Sequence, residues 1–245
     1  MNLRLKLTTT TLSLLITLGL SGCYIDIDDD DFCERGRGST TTNTRSLPAF
    51  TGISNSMDAD IYVRKGSFFE VTVQSNHNII DDISTHVSGE QLYLETRKCL
   101  RDHNTTITIT TPNLRSVSNF GSGHIHSADI WGANHMKLTL SGSGEVELPV
   151  DCDNLDVTLT GSGSFELSGY AGHLRSVISG SGNINAFALS TNTCSATISG
   201  SGNTFIHVAD SLTGTITGSG NIYYRGFPDT IDVIVSGSGR VINRN

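Results

Sequence analysis

His124 and His126 flank a single isoleucine, and 21 residues further on Glu145 and Glu147 flank a single valine. One intervening residue is strand spacing, so both imidazoles leave one face of a strand and both carboxylates leave the same face of theirs. If the two segments stack in register, His124 lies over Glu145 and His126 over Glu147, with Glu166 one step further along. Two imidazoles with two or three carboxylates are a donor set for a divalent metal. The same neighbours also serve as cross-strand charge pairs, each contributing roughly 0.2–1 kcal/mol to a sheet. Paired carboxylates on one face also raise glycoside hydrolysis, where retaining enzymes hold them about 5–5.5 Å apart in a cleft that separates their acidities. Short connections around Glu145 and Glu147 build no such cleft. Phe205 and Tyr223 continue the same column, with Tyr224 and Phe227 nearby. Such rings either stack on sugars or pack on one another near a sheet end. Lys137, Asp156 and Arg175 form an alternating-sign row, which reads as mutual neutralisation rather than the catalytic base of a polysaccharide lyase.

The elements that position these side chains follow from a repeat. Gly-Ser-Gly begins at Gly121, Gly142, Gly161, Gly180, Gly200, Gly218 and Gly237, at intervals of 18 to 21 residues. Two residues before the last six triplets stand Leu140, Leu159, Ile178, Ile198, Ile216 and Val235, and six before stand Met136, Leu155, Leu174, Cys194, Leu212 and Ile231. The position between them carries Leu138, Val157, Ser176, Ala196, Gly214 and Val233. After the triplets an inward column reads Ile125, Val146, Phe165, Ile184, Thr204, Ile222 and Val241. Alternation with one apolar face is a strand signature, so each unit is strand, tight corner, strand and a loosely specified return. One unit cannot bury its apolar face, but stacked units bury a continuous core and pair their backbones from coil to coil. The reading is all-β: a right-handed parallel β-helix of about seven coils. With about 4.8 Å per coil, the seven span on the order of 30 Å. The corner glycines serve either positive φ or a stacking distance too close for a Cβ, and the serine hydroxyl is available to backbone groups of the corner.

Residues 47–117 alternate cleanly in "FEVTVQS", "QLYLETR" and "TTITITTP" but contain no Gly-Ser-Gly. They read as a β-rich N-terminal cap on a repeat solenoid of residues 118–245, because an open solenoid end is an aggregation template. At the other end "GRVINRN" reads as a short polar close.

The N-terminus carries an address. Residues 1–22 have a basic start, Arg4 and Lys6, and an apolar run too short to span a bilayer, which is the pattern of an export signal. "LSGC", Leu20 to Cys23, resembles the lipobox of bacterial lipoproteins, which implies cleavage before Cys23 and acylation of that cysteine. Tyr24 follows where aspartate would favour the inner membrane, so the implied location is the cell envelope, lipid-anchored at the outer membrane. Residues 23–46 read as a tether, with the acidic run Asp26 to Phe32 as a solvated, self-repelling segment or a calcium-binding one and "GRGSTTTNTRS" as polar linker. Without Arg4 and Lys6 the chain carries 14 basic against 24 acidic residues, a formal charge of −10. That balance argues against nucleic acid as a partner.

Four other cysteines, Cys33, Cys99, Cys152 and Cys194, allow three pairings. Cys33–Cys99 is preferred, because it staples the tether to the folded body, and Cys194 is expected in the core. No CxxC, GxxxxGK or GxSxG occurs, so redox, phosphate-loop and nucleophile-elbow chemistry have no support and no cofactor is expected.

"LPAFTGISNSMDADIYV", followed by serial "SGSGNI" and by "GNIN" at Gly182 to Asn185, resembles the head GIN domain, a family described as an autotransporter adhesin head. The resemblance covers residues 47–245. It implies a β-helix on secreted or lipid-anchored envelope proteins and carries no catalytic residues to transfer. The function it implies is non-enzymatic: adhesion, scaffolding or binding of a protein or glycan partner. The alternative is a glycan-binding or glycan-cleaving protein that uses the outward His/Glu and aromatic columns.

Overall fold

A computed structural model describes residues 33–245; the stretch 1–22 read as an export signal, Cys23 and the acidic run Asp26–Phe32 lie outside the described residues. These residues form one compact unit. The first part contributes β1 (Glu34–Arg35), β2 (Thr40–Ser46), β3 (Gly52–Asn55), β4 (Asp60–Lys65), β5 (Glu70–Asn76), β6 (Ile83–Ser88), β7 (Gln91–Thr96), β8 (Leu100–Arg101) and β9 (Thr106–Thr111). The repeats contribute β10 (Ser116–Asn119), β11 (His124–His126), β12 (Trp131–Leu140), β13 (Glu145–Leu159) and β14 (Ser164–Ile178). They continue as β15 (Asn183–Ile198), β16 (Thr204–Ile216), β17 (Ile222–Arg225), β18 (Thr230–Val235) and β19 (Val241–Asn243).

The repeats stack as a parallel β-helix. β12 pairs with β13, β13 with β14, β14 with β15 and β15 with β16, all parallel and in the register of the Gly-Ser-Gly triplets. Leu140, Leu159, Ile178, Ile198 and Ile216 are fully buried in one column, and Val146, Phe165, Ile184 and Ile222 in another. Polar interruptions of these columns find each other: Ser176 Oγ and Thr204 Oγ1, both fully buried, are 3.2 Å apart. The return stretch is not loose. β13, β14 and β15 each run 15 or 16 residues through it, and Val150, Cys152, Ala171 and Leu189 are buried there. Parallel pairing runs through most of this stretch, with shifts of register between Glu166 and Ser168, Ala186 and Ser190, and Thr191 and Thr193, and it orders residues whose side chains show little pattern.

Triplet glycines answer to stacking distance. None has positive φ; among the described residues the left-handed glycines are Gly38, Gly89, Gly169 and Gly226. A Cβ on Gly182 would come within 3.0 Å of the Gly163 carbonyl oxygen in the coil below. The corner closes through backbone bonds: Ser181 N and Gly182 N both donate to Gly161 O, at 3.2 Å each. The triplet serines are exposed along the corner edge.

The segment read as a cap contains two further coils of the solenoid. β3 and β4 lie directly under β10 and β11 in parallel register, with Gly52 opposite Ser116 and Ile61 opposite Ile125. β7 and β9 lie under β3 and β4, again parallel. The chain therefore lays down one coil, leaves to build the end, adds the coil beneath, and returns to begin the repeats on top. Met57 and Ala59 occupy the corner below Gly121 and Gly123. Asn55 and Asn119 replace the aliphatic column here, Asn55 Nδ2 donating to Asn119 Oδ1 at 2.9 Å and Asn119 Nδ2 to Gly123 O at 2.7 Å. The true cap is antiparallel: β6 on β7, β5 on β9, and β2 on β5.

That last pairing corrects the tether. Thr40–Ser46 is not linker but β2, matched residue for residue with Asn76 to Glu70. Threonine favours extended backbone, and a solvent-facing outer strand has no need of an apolar face, so its composition imitates a linker. Arg45 fixes it inward, donating to Ile83 O at 2.8 Å and Thr85 Oγ1 at 3.0 Å. The Cys33–Cys99 disulfide forms as preferred, beside β1 paired on β8. Cys152 and Cys194 are buried and free.

Candidate functional site

The outward column of the post-corner strands runs through every coil. Asp60 and Tyr62 of β4 stand beside His124 and His126 of β11, which stand beside Glu145 and Glu147 of β13. Glu166, Asn185, Phe205, Tyr223 and Ile242 continue it in register. Alternation places the inward partners Ile61, Ile125 and Val146 in the core, which holds the outward side chains at the spacing of the coils.

The histidines and glutamates meet as read, coil on coil. His126 Nδ1 donates to Glu147 Oε2 at 2.6 Å, and its ring meets Tyr62 edge-on with centroids 6.0 Å apart. His124 Nδ1 lies 3.7 Å from Glu145 Oε2. The arrangement is two separate His–Glu contacts, and among the described residues no three His, Cys, Asp or Glu side chains converge on one point. Asp60, Tyr62, His124, His126, Glu145 and Glu147 line a shallow, open concavity of about 360 Å³. Both glutamates are half exposed, so the concavity is an open surface rather than a closed cleft. Asp60 and Tyr62 were not legible as members of the column. Their signal is the alternation Asp60-Ile61-Tyr62, which matches His124-Ile125-His126 but follows a corner without Gly-Ser-Gly.

Further along, Glu166 accepts a hydrogen bond from Asn185 Nδ2. Asn183, Asn203 and Asn221 form a ladder beside it, each higher asparagine donating both its backbone N–H and its Nδ2 to the Oδ1 below, at 3.0–3.1 Å. Phe205 and Tyr223 stack face to face, 4.8 Å apart and 8° from parallel. Phe187 packs edge-on against Phe205, the Arg225 guanidinium lies 4.2 Å from the Phe187 ring centroid, and that of Arg244 lies 5.0 Å from the Tyr223 centroid. Coil stacking thus directs the faces of Phe205 and Tyr223 at each other and leaves their edges outward. Lys137, Asp156 and Arg175 stand in register as an alternating row, and Asp156 also receives His135 Nε2 at 3.3 Å.

Comparison with known proteins places this architecture. Residues 49–228 match the family described as "Putative auto-transporter adhesin, head GIN domain". The crystal structure of a "putative adhesin" from Bacteroides fragilis NCTC 9343 is similar with a TM-score of 0.81 at 25% identity, over 86% of this chain and 99% of that one. A "putative lipid binding protein" from Parabacteroides distasonis ATCC 8503 gives 0.73 at 24% identity, over 86% and 99% of the two chains. A "putative adhesin" from Parabacteroides merdae ATCC 43184 gives 0.69 at 20% identity, over 87% and 100%. No protein of curated function matches. The family match spans well over half of the residues and coincides with the stacked coils, and the chain belongs to the head GIN domain family.

Proposed function

We propose that this protein is a non-enzymatic, lipid-anchored head domain of the cell envelope that acts by binding, in adhesion or scaffolding. Family membership over residues 49–228 carries the reading. "LSGC" at Leu20 to Cys23 supports an acyl anchor, and Tyr24 after the cysteine supports the outer membrane. Several acyl chains hold a protein at a membrane far more firmly than one. The solenoid contributes a rigid, flat face on which side chains are fixed by coil stacking. Its Tyr62–His126–Glu147 stretch is the binding patch, because it joins a ring edge, an imidazole and a carboxylate in an open concavity. A protein loop or a glycan rich in hydroxyls meets those groups with matching hydrogen bonds.

The test compares the tagged full-length chain with Cys23→Ser and with Tyr62→Ala/His126→Ala/Glu147→Ala in native cells. The expected result is membrane fractionation that requires Cys23, and a co-purifying protein or glycan lost with the triple substitution. A Cys23→Ser chain that stays with the membrane overturns the anchor. A ligand held equally by the triple variant overturns the patch.

A further inference from the structure

The two ends of the solenoid are finished differently. At the N-terminal end β2, β5 and β6 cover the coils in antiparallel pairing and the Cys33–Cys99 disulfide fastens the segment. At the other end no described strand covers the last coil. Among the described residues β18 pairs only with β16 and β19 only with β17, so one backbone edge of each strand faces outward from the stack. Columns that are fully buried at Leu212 and Ile216 continue into Ile231 and Val235, which are 44% and 43% exposed, and Ile234 is 66% exposed. "GRVINRN" does not close this end; it forms β19, the second strand of the same open coil. An apolar coil with unpaired strand edges is a template for another strand.

The chemistry of this edge selects its occupant. β18 runs into the Gly237–Gly239 corner and β19 runs out of it. A two-fold axis through Ser238 therefore lays β18 of one copy antiparallel on β19 of the other, and the reverse. Residues equally distant from Ser238 then face each other. Val235 meets Val241, both in inward columns; Ile234 meets Ile242, both outward; and Asp232 meets Arg244, also outward. Val233 and Ile231, farther from the corner, face Asn243 and Asn245. Two strands joined by a corner, with matched facing, apolar pairing and opposite charge, are what an antiparallel sheet requires. Head-to-tail stacking is blocked by the N-terminal cap, so the contact is isologous and closed rather than fibrous.

We infer that the C-terminal coil is a self-association surface on which a second copy of this chain completes the sheet through β18–β19 pairing. This inference stands on the last coil and does not depend on the binding patch proposed above.

The test uses the full chain in detergent. Ser238 sits on the two-fold axis and its side chain is exposed, so Ser238→Cys brings two thiols to the few-ångström Cα spacing that a disulfide spans. The expected result is a covalent dimer of Ser238→Cys on non-reducing gels after mild oxidation, and none for Ser219→Cys one coil below. In sedimentation the unsubstituted chain is a dimer. Asp232→Arg weakens it by about tenfold or more, since the dimer contains the charge pair twice. Asp232→Arg/Arg244→Asp restores it. Both side chains are exposed, and a matching melting temperature confirms that each variant folds. A monomer across the micromolar range, equal crosslinking at 219 and 238, or a charge swap without rescue overturns the inference.

Discussion

A Cβ placed on Gly182 overlaps the carbonyl oxygen of Gly163, the glycine at the same corner position one coil below. The corner is therefore a place where two backbones touch without side chains between them. The predicted consequence is that Gly182→Ala destabilises the fold by about 3 kcal/mol, since the strain of overpacking has no flexible neighbour to absorb it. Ser181→Ala, at the exposed residue beside it, changes stability by less than about 0.5 kcal/mol. Urea unfolding of both variants decides the matter. Equal effects would mean that the triplet is kept for its hydroxyl and not for close stacking.

Cys33 and Cys99 close a loop of sequence separation 66 and join β1 to the segment before β8. By loop-closure entropy a bond over that distance is worth about 4 kcal/mol. Cys33→Ser/Cys99→Ser is predicted to lose stability of that order, with hydrogen exchange rising first in β1, β8 and β2. Reduction of the unsubstituted protein should have the same effect. An unchanged unfolding midpoint would show that the antiparallel cap holds without its staple.

How far the fold was readable depended on what each coil shows the solvent and the core. Leu140, Leu159 and Ile178 announce a column because each is buried by the same neighbours one coil apart. β4 was hidden because Met57 and Ala59 form its corner where the repeats have glycine, and because its neighbour in space, β9, lies more than forty residues away in sequence. β2 was hidden by its polarity, since Thr40–Ser46 pairs along an outer edge with no apolar face to show. The His/Glu contacts were legible because coil register follows from triplet spacing. The ring geometry at Phe205 and Tyr223 was not, since spacing places side chains in a column without saying where their faces point.

Burial raises the Cys194 thiol to about 12, and burial with the nearby Asp151 and Asp153 raises that of Cys152 to about 11. Unfolding returns both toward the ordinary value of 9.0. Above that pH the unfolded chain releases protons that the folded chain keeps, so the stability present below about pH 9 is lost as pH rises toward 11–12. The predicted measurement is the stability difference between the unsubstituted protein and Cys194→Ala. From pH 8 to pH 10.5 it should move against the unsubstituted protein by about 2 kcal/mol. A parallel pair of pH profiles would mean that the Cys194 site admits water.

The last prediction separates a pairwise side-chain contact from a metal site at His126 and Glu147. Their contact at 2.6 Å is exposed, and His124–Glu145 forms a second pair rather than adding donors to the first. An exposed pair of this kind contributes under about 1 kcal/mol and is screened by salt. A double-mutant cycle of His126→Ala and Glu147→Ala should therefore give a coupling below that value, shrinking further in 1 M salt. Zinc at about ten micromolar should leave the melting temperature unchanged, because a site of two donors holds the ion too weakly to shift folding. A zinc-dependent rise of several degrees that disappears in Glu147→Ala would instead mean that the imidazoles and carboxylates of two coils rotate together around the ion, and the column would then be a metal centre.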